Sequence, residues 1–348
     1  MPPELSLPIA SAHDESRWRK PLSQLAVAGA GLFVLTIGDW SEMAWQWWNS
    51  SACNHILFVP PILAWLVWLR VPELAKLRPE AWWPGLGWFA CGVLLHVAGS
   101  AGGISLFAQL AAVVMLQGAV ISLLGPRLGA GLLFPLGYMV FLVPFGDEIV
   151  PPLQLATAHM AVALTHLSGV PATIHGVLID TPVGRFEVAE ACSGIKFLIA
   201  MIALGTLVAH LGFRSGRRRA IFLAACVIVP ILANGVRAWG TIYVAQFRGV
   251  AFAAGFDHIV YGWVFFAIVM AGILGVSWRF FDRPADDRLV DVQAIEASRV
   301  LTRLSRRPAN GWLVLATLVV AAALAAAWGV ALTRPLVEGL LAALGAHS

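Results

Sequence analysis

Apolar residues in this chain fall in long uninterrupted runs instead of the alternating or striped patterns of soluble folds. Nine runs are long enough, or nearly so, to cross about 30 Å of hydrocarbon as helices of roughly 20 residues. They are 22–39, 56–69, 84–101, 104–124, 129–146, 194–213, 220–246, 258–278 and 311–333. The second is short and carries Pro60-Pro61, and the Gly-rich break from Gly99 to Gly103 predicts a tight helical hairpin. One polar-to-mixed stretch, 147–191, is too long for a hairpin. Its part 151–167 sets Leu153, Ala156, Met160 and Leu164 on one stripe, which predicts an amphipathic helix suited to the outer interface. Its part 172–188 holds Thr173, Ile174, Val177, Ile179, Val183, Phe186 and Val188, with turn points at Gly176 and Pro182 to Gly184, which predicts a short β-hairpin. The expected architecture is an all-α polytopic membrane protein with about nine transmembrane helices and a small extracytoplasmic cap of one helix plus a β-hairpin.

Composition strengthens that reading. Hydrophobic residues make up 59% and charged residues 12% of the chain, far outside the range of soluble globular proteins. There are 15 Trp against 3 Tyr, and many Trp flank the apolar runs, where an indole sits well at headgroup level. The net charge of +4 does not point to nucleic acid, because the basic residues lie in short loops and not along one face. They do orient the chain. With the N-terminus cytoplasmic, eighteen of the 23 Lys and Arg fall inside, among them Arg17, Arg70, Arg127 and Arg214. The remaining five are Arg185, Lys196, Arg237, Arg248 and Arg334. The polar start followed by many spans predicts an uncleaved first span. The expected organisation is a cytoplasmic segment 1–21, a transmembrane domain 22–281 that includes the cap at 146–191, a charged cytoplasmic segment 282–310, and a last helix with a short tail at 311–348.

Four cysteines, Cys53, Cys91, Cys192 and Cys226, show no spacing suited to a metal, and neither metal nor cofactor is expected. Cys192 stands out because it opens the sixth run on the outer side, in Glu190-Ala191-Cys192-Ser193-Gly194. A thiol at a helix N-terminus meets the positive end of the backbone dipole, and Lys196 four residues on adds to it. The alternative is a small apolar filler beside a snorkelling lysine. Arg237 is the one permanent charge inside the seventh run, about 13 Å below its outer end. A mid-span Arg costs about 2.5 to 3.5 kcal/mol to insert, so it faces a polar cavity or a partner. Asn234 and Thr241 share its helical face. An Arg that only fixes helix packing is the other reading. His258 starts the eighth run after Asp257, a plausible helix cap, and a lone interfacial His is also a common anchor. His55, His159, His166 and His175 lie on the same side. Together, a thiol, a fixed cation and an imidazole at one membrane surface are the parts needed for acyl transfer through a thioester.

The runs Val188-Ala189-Glu190-Ala191-Cys192-Ser193-Gly194-Ile195, Ala233-Asn234-Gly235-Val236-Arg237-Ala238 and Asp257-His258-Ile259-Val260-Tyr261-Gly262-Trp263-Val264-Phe265-Phe266 resemble the signature blocks of the exosortase family. The wording is nearest to the exosortase A subgroup. The resemblance extends over most of 22–281 and implies a bacterial inner-membrane cysteine protease or transpeptidase of Gram-negative type, with its active site facing the periplasm. It implies substrates that end in a Pro-Glu-Pro (PEP-CTERM) sorting signal, a transmembrane helix and a basic tail, and a link to exopolysaccharide production. It maps the catalytic set onto Cys192, Arg237 and His258, with Asn234, Glu190, Ser193, Gly194, Lys196 and Asp257 in support. Some relatives carry a further soluble domain at the C-terminus, while here only 334–348 follow the ninth run, so a separate soluble chain is an expected partner alongside membrane lipid.

Two other functions fit the same residues. One is a non-enzymatic component of polysaccharide export or assembly, with Arg237 and Asn234 lining a polar path. The other is a thiol-dependent membrane acyltransferase that carries a lipid on Cys192. A permeation path has no need of a thiol, so exchanging Cys192 for Ser separates the first from an enzyme.

Overall fold

Inside a bilayer no water satisfies peptide groups, so each apolar run must close its hydrogen bonds within itself, and this chain does so as helices. The computed structural model describes the backbone over 12–250, 256–284 and 287–345; the side chains of 12–16, 256–261, 330 and 332–345 lie outside the described residues. The chain divides into two compact units, one of 1–48, 56–144 and 288–348, the other of 49–55 and 145–287.

The first unit opens with α1 (Ala12–Leu35) and α2 (Ile37–Asn49), followed after a 3-10 turn by α3 (Val59–Trp68) and α4 (Val71–Leu74). A hairpin of α5 (Gly85–Gly102) and α6 (Ser105–Leu124) comes next, then two short helices, α7 (Pro126–Gly131) and α8 (Leu133–Tyr138). The hairpin packs backbone to backbone. A Cβ added at Gly92 would lie 2.7 Å from Met115 Cγ, and one at Gly118 would lie 2.6 Å from Phe89 Cα. Small residues permit such approach where apolar lipid supplies no hydrophobic drive between helices.

The second unit holds α9 (Val150–Leu167), strands β1 (Thr173–His175), β2 (Leu178–Thr181) and β3 (Gly184–Glu187), then α10 (Ile195–Gly212), α11 (Gly216–Arg248) and α12 (Phe256–Trp278). The strands form one antiparallel sheet in the order β1-β2-β3. Asp180 faces Arg185 across β2 and β3, and the Arg185 Nε donates to Asp180 Oδ1 at 2.7 Å. Ile179 is fully buried with Ala158, Ala161 and Ile242, which anchors the sheet to α9 and α11. The chain then returns to the first unit with α13 (Val292–Ala297), α14 (Arg299–Leu304) and α15 (Gly311–Gly345), whose Val314, Leu318 and Ala322 are buried with Leu32, Phe89 and Met115.

The polytopic helical class stands, and the described helices are less regular than the nine runs. Among the described residues five helices are long and apolar enough to cross a membrane, or seven if each of two bent pairs is one span. The second run yields only the ten-residue α3, with its prolines at the first helical positions, where a missing N–H costs nothing. The fifth run breaks into α7, α8 and a 3-10 turn over Met139–Leu142, because Pro135 lacks the N–H that would bond back to the preceding turn. The expected hairpin of the cap gains a strand at its start, giving three. The last helix continues to Gly345, beyond the expected end at 333.

At the turn between α10 and α11, Ser215 caps α11 and the carboxylate of Asp282 accepts the Arg214 N–H at 2.6 Å and the Ser215 N–H at 3.3 Å. Arg214 also donates through Nε to Asp287 at 2.8 Å. The Arg214 N–H holds the Asp282 carboxyl, and the Arg214 guanidinium holds that of Asp287, below the ordinary value of 3.8. Folded values below the unfolded one stabilise the turn above about pH 4, and this contribution is lost as pH falls through the lowered values. Changing both residues to Asn is expected to speed tryptic cleavage between Arg214 and Arg219 several-fold at pH 8; an unchanged rate would show the pairs do not hold the turn.

Candidate active site

The site forms where the cap hands the chain to α10. After β3 the backbone is extended at Ala189, makes one 3-10 turn over Glu190–Cys192, and enters α10 through Gly194. Cys192 thus lies just ahead of the helix and not within it, half-buried, while Glu190 is exposed and Ser193 is 2% exposed. The Ser193 hydroxyl accepts the Ile195 N–H at 3.3 Å, which fastens the start of α10.

Gly194 is required twice over. Its φ of +85° is left-handed, and a Cβ there would lie 2.8 Å from Cγ of Asn234. The missing side chain lets Asn234 reach the turn from α11. Asn234 is 1% exposed, and its Nδ2 donates to the Cys192 carbonyl at 2.8 Å and to Thr157 Oγ1 of α9 at 2.9 Å. One amide therefore joins the thiol's turn, α9 and α11. Its Oδ1 is buried with no hydrogen-bond partner among the described residues. Next to it, Gly235 brings α11 against α9, since a Cβ there would lie 2.8 Å from Met160 Cβ.

Arg237 follows one turn later on the same face and is 7% exposed. Its guanidinium carbon sits 5.8 Å from the centre of the Phe266 ring of α12. Its Nη1 is so close to α12 that a Cβ at Gly262 would lie 2.9 Å from it. Among the described residues no acceptor or carboxylate meets this guanidinium. Thr241, on the same face, spends its hydroxyl on the Arg237 carbonyl at 3.1 Å. Lys196, half-buried, has both Arg237 and Cys192 among its electrostatic neighbours, and its Nζ lies 5.4 Å from the centre of Phe197. Phe197 in turn stacks on Phe266 at 3.7 Å and meets Trp263 edge-on at 6.0 Å, which ties α10 to α12.

Cys192, Gly194, Lys196, Asn234 and Arg237 are thus brought together. The side chains of Asp257 and His258 lie outside the described residues. The backbone at 258 belongs to the first turn of α12, one helical turn or about 6 Å before Gly262 and on the same face. Elsewhere His166 pairs with the Ala172 carbonyl at 2.7 Å, His55 with that of Ala52 at 3.0 Å, and His96 lies 3.6 Å from the Asp39 carboxylate. All four cysteines are free thiols. Burial pushes the Cys53 thiol up, with Asp147 adding and a hydrogen bond from Ser50 opposing, which disfavours its thiolate. Cys226 is wholly buried in a core with Phe213 and Phe222. Among the described residues no three His, Cys, Asp or Glu cluster as metal ligands.

Fold and site together define a multi-pass helical membrane protein with a thiol, an amide and two cations gathered where its cap meets its spans. Residues 47–275 match the transmembrane exosortase family (Exosortase_EpsH), and the chain belongs to that family. No curated protein and no solved structure matches it.

Two contributors, Thr157 and Gln154, escaped the sequence. Thr157 is buried and receives the Asn234 amide, yet it lies off the apolar stripe expected for its helix. The most deeply buried face of α9 is Thr157, Ala158, Ala161 and Thr165, one position beyond the half-buried Leu153, Ala156, Met160 and Leu164. Small side chains there admit the close approach of α11, and a count of large apolar residues passes over them. Gln154 donates to the Val188 carbonyl at 2.8 Å and so holds the strand leading to Cys192.

Proposed function

We propose that this chain is a membrane cysteine protease or transpeptidase of the exosortase type, nearest to the exosortase A subgroup, which removes C-terminal PEP-CTERM-type sorting signals at the outer face of the bacterial inner membrane. The observation that carries this reading is the Asn234 amide, which fixes the turn of Cys192 while the same helix face presents Arg237, which meets no carboxylate among the described residues. Cys192 is the nucleophile: its sulfur attacks the scissile carbonyl carbon, and the carbonyl oxygen takes the negative charge and is stabilised by Arg237. His258 gives a proton to the departing amine as the C–N bond breaks, leaving an acyl thioester on Cys192. It then takes a proton from the acceptor, water or an amine or hydroxyl, which attacks the thioester and frees the thiolate. Lys196, on the first turn of α10, lies beside this sulfur. Substrates are membrane proteins with a sorting signal, a helix and a basic tail, and the process serves exopolysaccharide-linked surface assembly. The aromatic walls of Phe197, Trp263 and Phe266 beside Arg237 disfavour a continuous polar conduction path.

Intact-mass analysis of a sorting-signal substrate made with this protein, with Cys192→Ser or with Cys192→Ala tests the reading. The wild type is expected to shorten the substrate, and both variants to reduce this by at least about a thousandfold. Shortening by Cys192→Ser near the wild-type rate would overturn the thiol mechanism. An acyl adduct on Cys192 without peptide cleavage would point instead to lipid transfer.

A further inference from the structure

In the first unit, α1, α3, α4 and α6 to α8 leave between them an open cleft of about 710 Å³. Its walls are apolar, running from Trp18 to Leu25 on α1 and from Leu116 to Leu124 on α6. At 1.5 Å per residue these stretches measure about 10 and 12 Å, close to the roughly 15 Å of a single leaflet and far short of the roughly 30 Å that a spanning helix covers. A groove of this size is not left void in a bilayer, so its depth says what fills it: acyl chain from one leaflet.

Wall residues Trp18, Val71 and Leu128 each follow an arginine directly: Arg17, Arg70 and Arg127. Arg70 is 1% exposed, donates to the Leu66 carbonyl at 2.7 Å and lies 5.9 Å from the centre of the Phe134 ring. The Nε of Arg127 is buried and finds no acceptor among the described residues, although Leu124 and Leu128 beside it both line the cleft. The nearby carboxylate of Glu73 is already taken, by Lys76 at 2.7 Å and Arg288 at 3.6 Å. An arginine unpartnered among the described residues, beside a leaflet-deep apolar groove, is complementary to a lipid that carries a negative headgroup.

We propose that this cleft is a specific site for an anionic phospholipid of the leaflet on the Arg127 side, with an acyl chain between α1, α3 and α6 and the phosphodiester at Arg127. The basic tail of a substrate helix, or the same arginine on a second copy, would be repelled there. The site is separate from Cys192 and does not depend on the activity proposed above.

The test uses the full-length protein, purified and delipidated in detergent, with phosphatidylglycerol or phosphatidylcholine of identical chains added back. Native mass spectrometry is expected to show phosphatidylglycerol retained at least fivefold better and the melting temperature raised by that lipid alone. Arg127→Gln should erase the preference between the two, and Ala64→Trp, which fills the groove, should abolish retention of both. Val67→Trp on the same wall serves if Ala64→Trp does not fold. Equal retention of the two lipids by the wild type, or unchanged retention by the variants, would overturn the proposal. So would photo-crosslinks from position 64 that capture a substrate helix or a second copy in place of lipid.

Discussion

Replacing Arg237 with lysine is expected to slow processing by a hundredfold to a thousandfold, in line with the loss of one oxyanion donor from an acyl-transfer site. The two residues share a charge and little else. Arginine is a planar fork that stays protonated, and here its plane lies over Phe266 and against the backbone at Gly262, where added bulk would collide. Lysine offers a single compact ammonium on a flexible stem, and in a site where the side chain is 7% exposed it can shed its proton and with it the charge. Single-turnover cleavage of a substrate reconstituted in the same membrane reads the effect directly, and the loss belongs in the rate of the chemical step, not in substrate affinity. Arg237→Gln, which keeps hydrogen-bond donors without charge, should fall no lower than Arg237→Lys if geometry matters as much as charge. A lysine variant within threefold of wild type would reduce Arg237 to a packing cation.

Gly194→Ala is expected to be nearly as damaging, although it adds one methyl group at a position that carries no chemistry. The left-handed backbone there costs an alanine about 1 to 2 kcal/mol, and the new Cβ would stand 2.8 Å from Asn234 Cγ. Asn234 has to withdraw, and its hydrogen bonds to the Cys192 carbonyl and Thr157 go with it. Processing should drop by about a hundredfold, since a displacement of about 1 Å costs that much at a reacting centre. Helix content and yield should change little. Asn234→Ala should cause a similar loss, and the double variant should be far from additive, because both changes release the same turn. Additive losses would mean that the glycine and the amide act separately.

Much of this was legible from the chain alone. The apolar runs announced the helices, Arg237 stood out because a charge within a span is costly, Asn234 shared its helical face, and Cys192 stood out by opening the sixth run. Less legible were the events that depend on remote partners. The Asn234 amide reaches 77 residues back to Thr157 and 42 back to Cys192, and no local pattern registers such a link. The apolar run at 129–146 looked continuous by hydropathy, yet Pro135 and its glycines decided the backbone. The buried face of α9 was displaced because small residues, not large ones, mark where two helices come closest. His258 rests on its motif and its place on α12.

Among the described residues the Arg237 guanidinium meets no carboxylate and the Asn234 Oδ1 no donor, which leaves this region locally frustrated. The close packing of α11 on α9 at Gly235 supplies stability that tolerates it. Selection of this protein for thermal robustness alone would therefore drift toward apolar residues at 237 and 234, yielding a sturdier protein without the activity proposed for it. A stabilised form that still works must gain its stability in the scaffold and leave those two positions untouched.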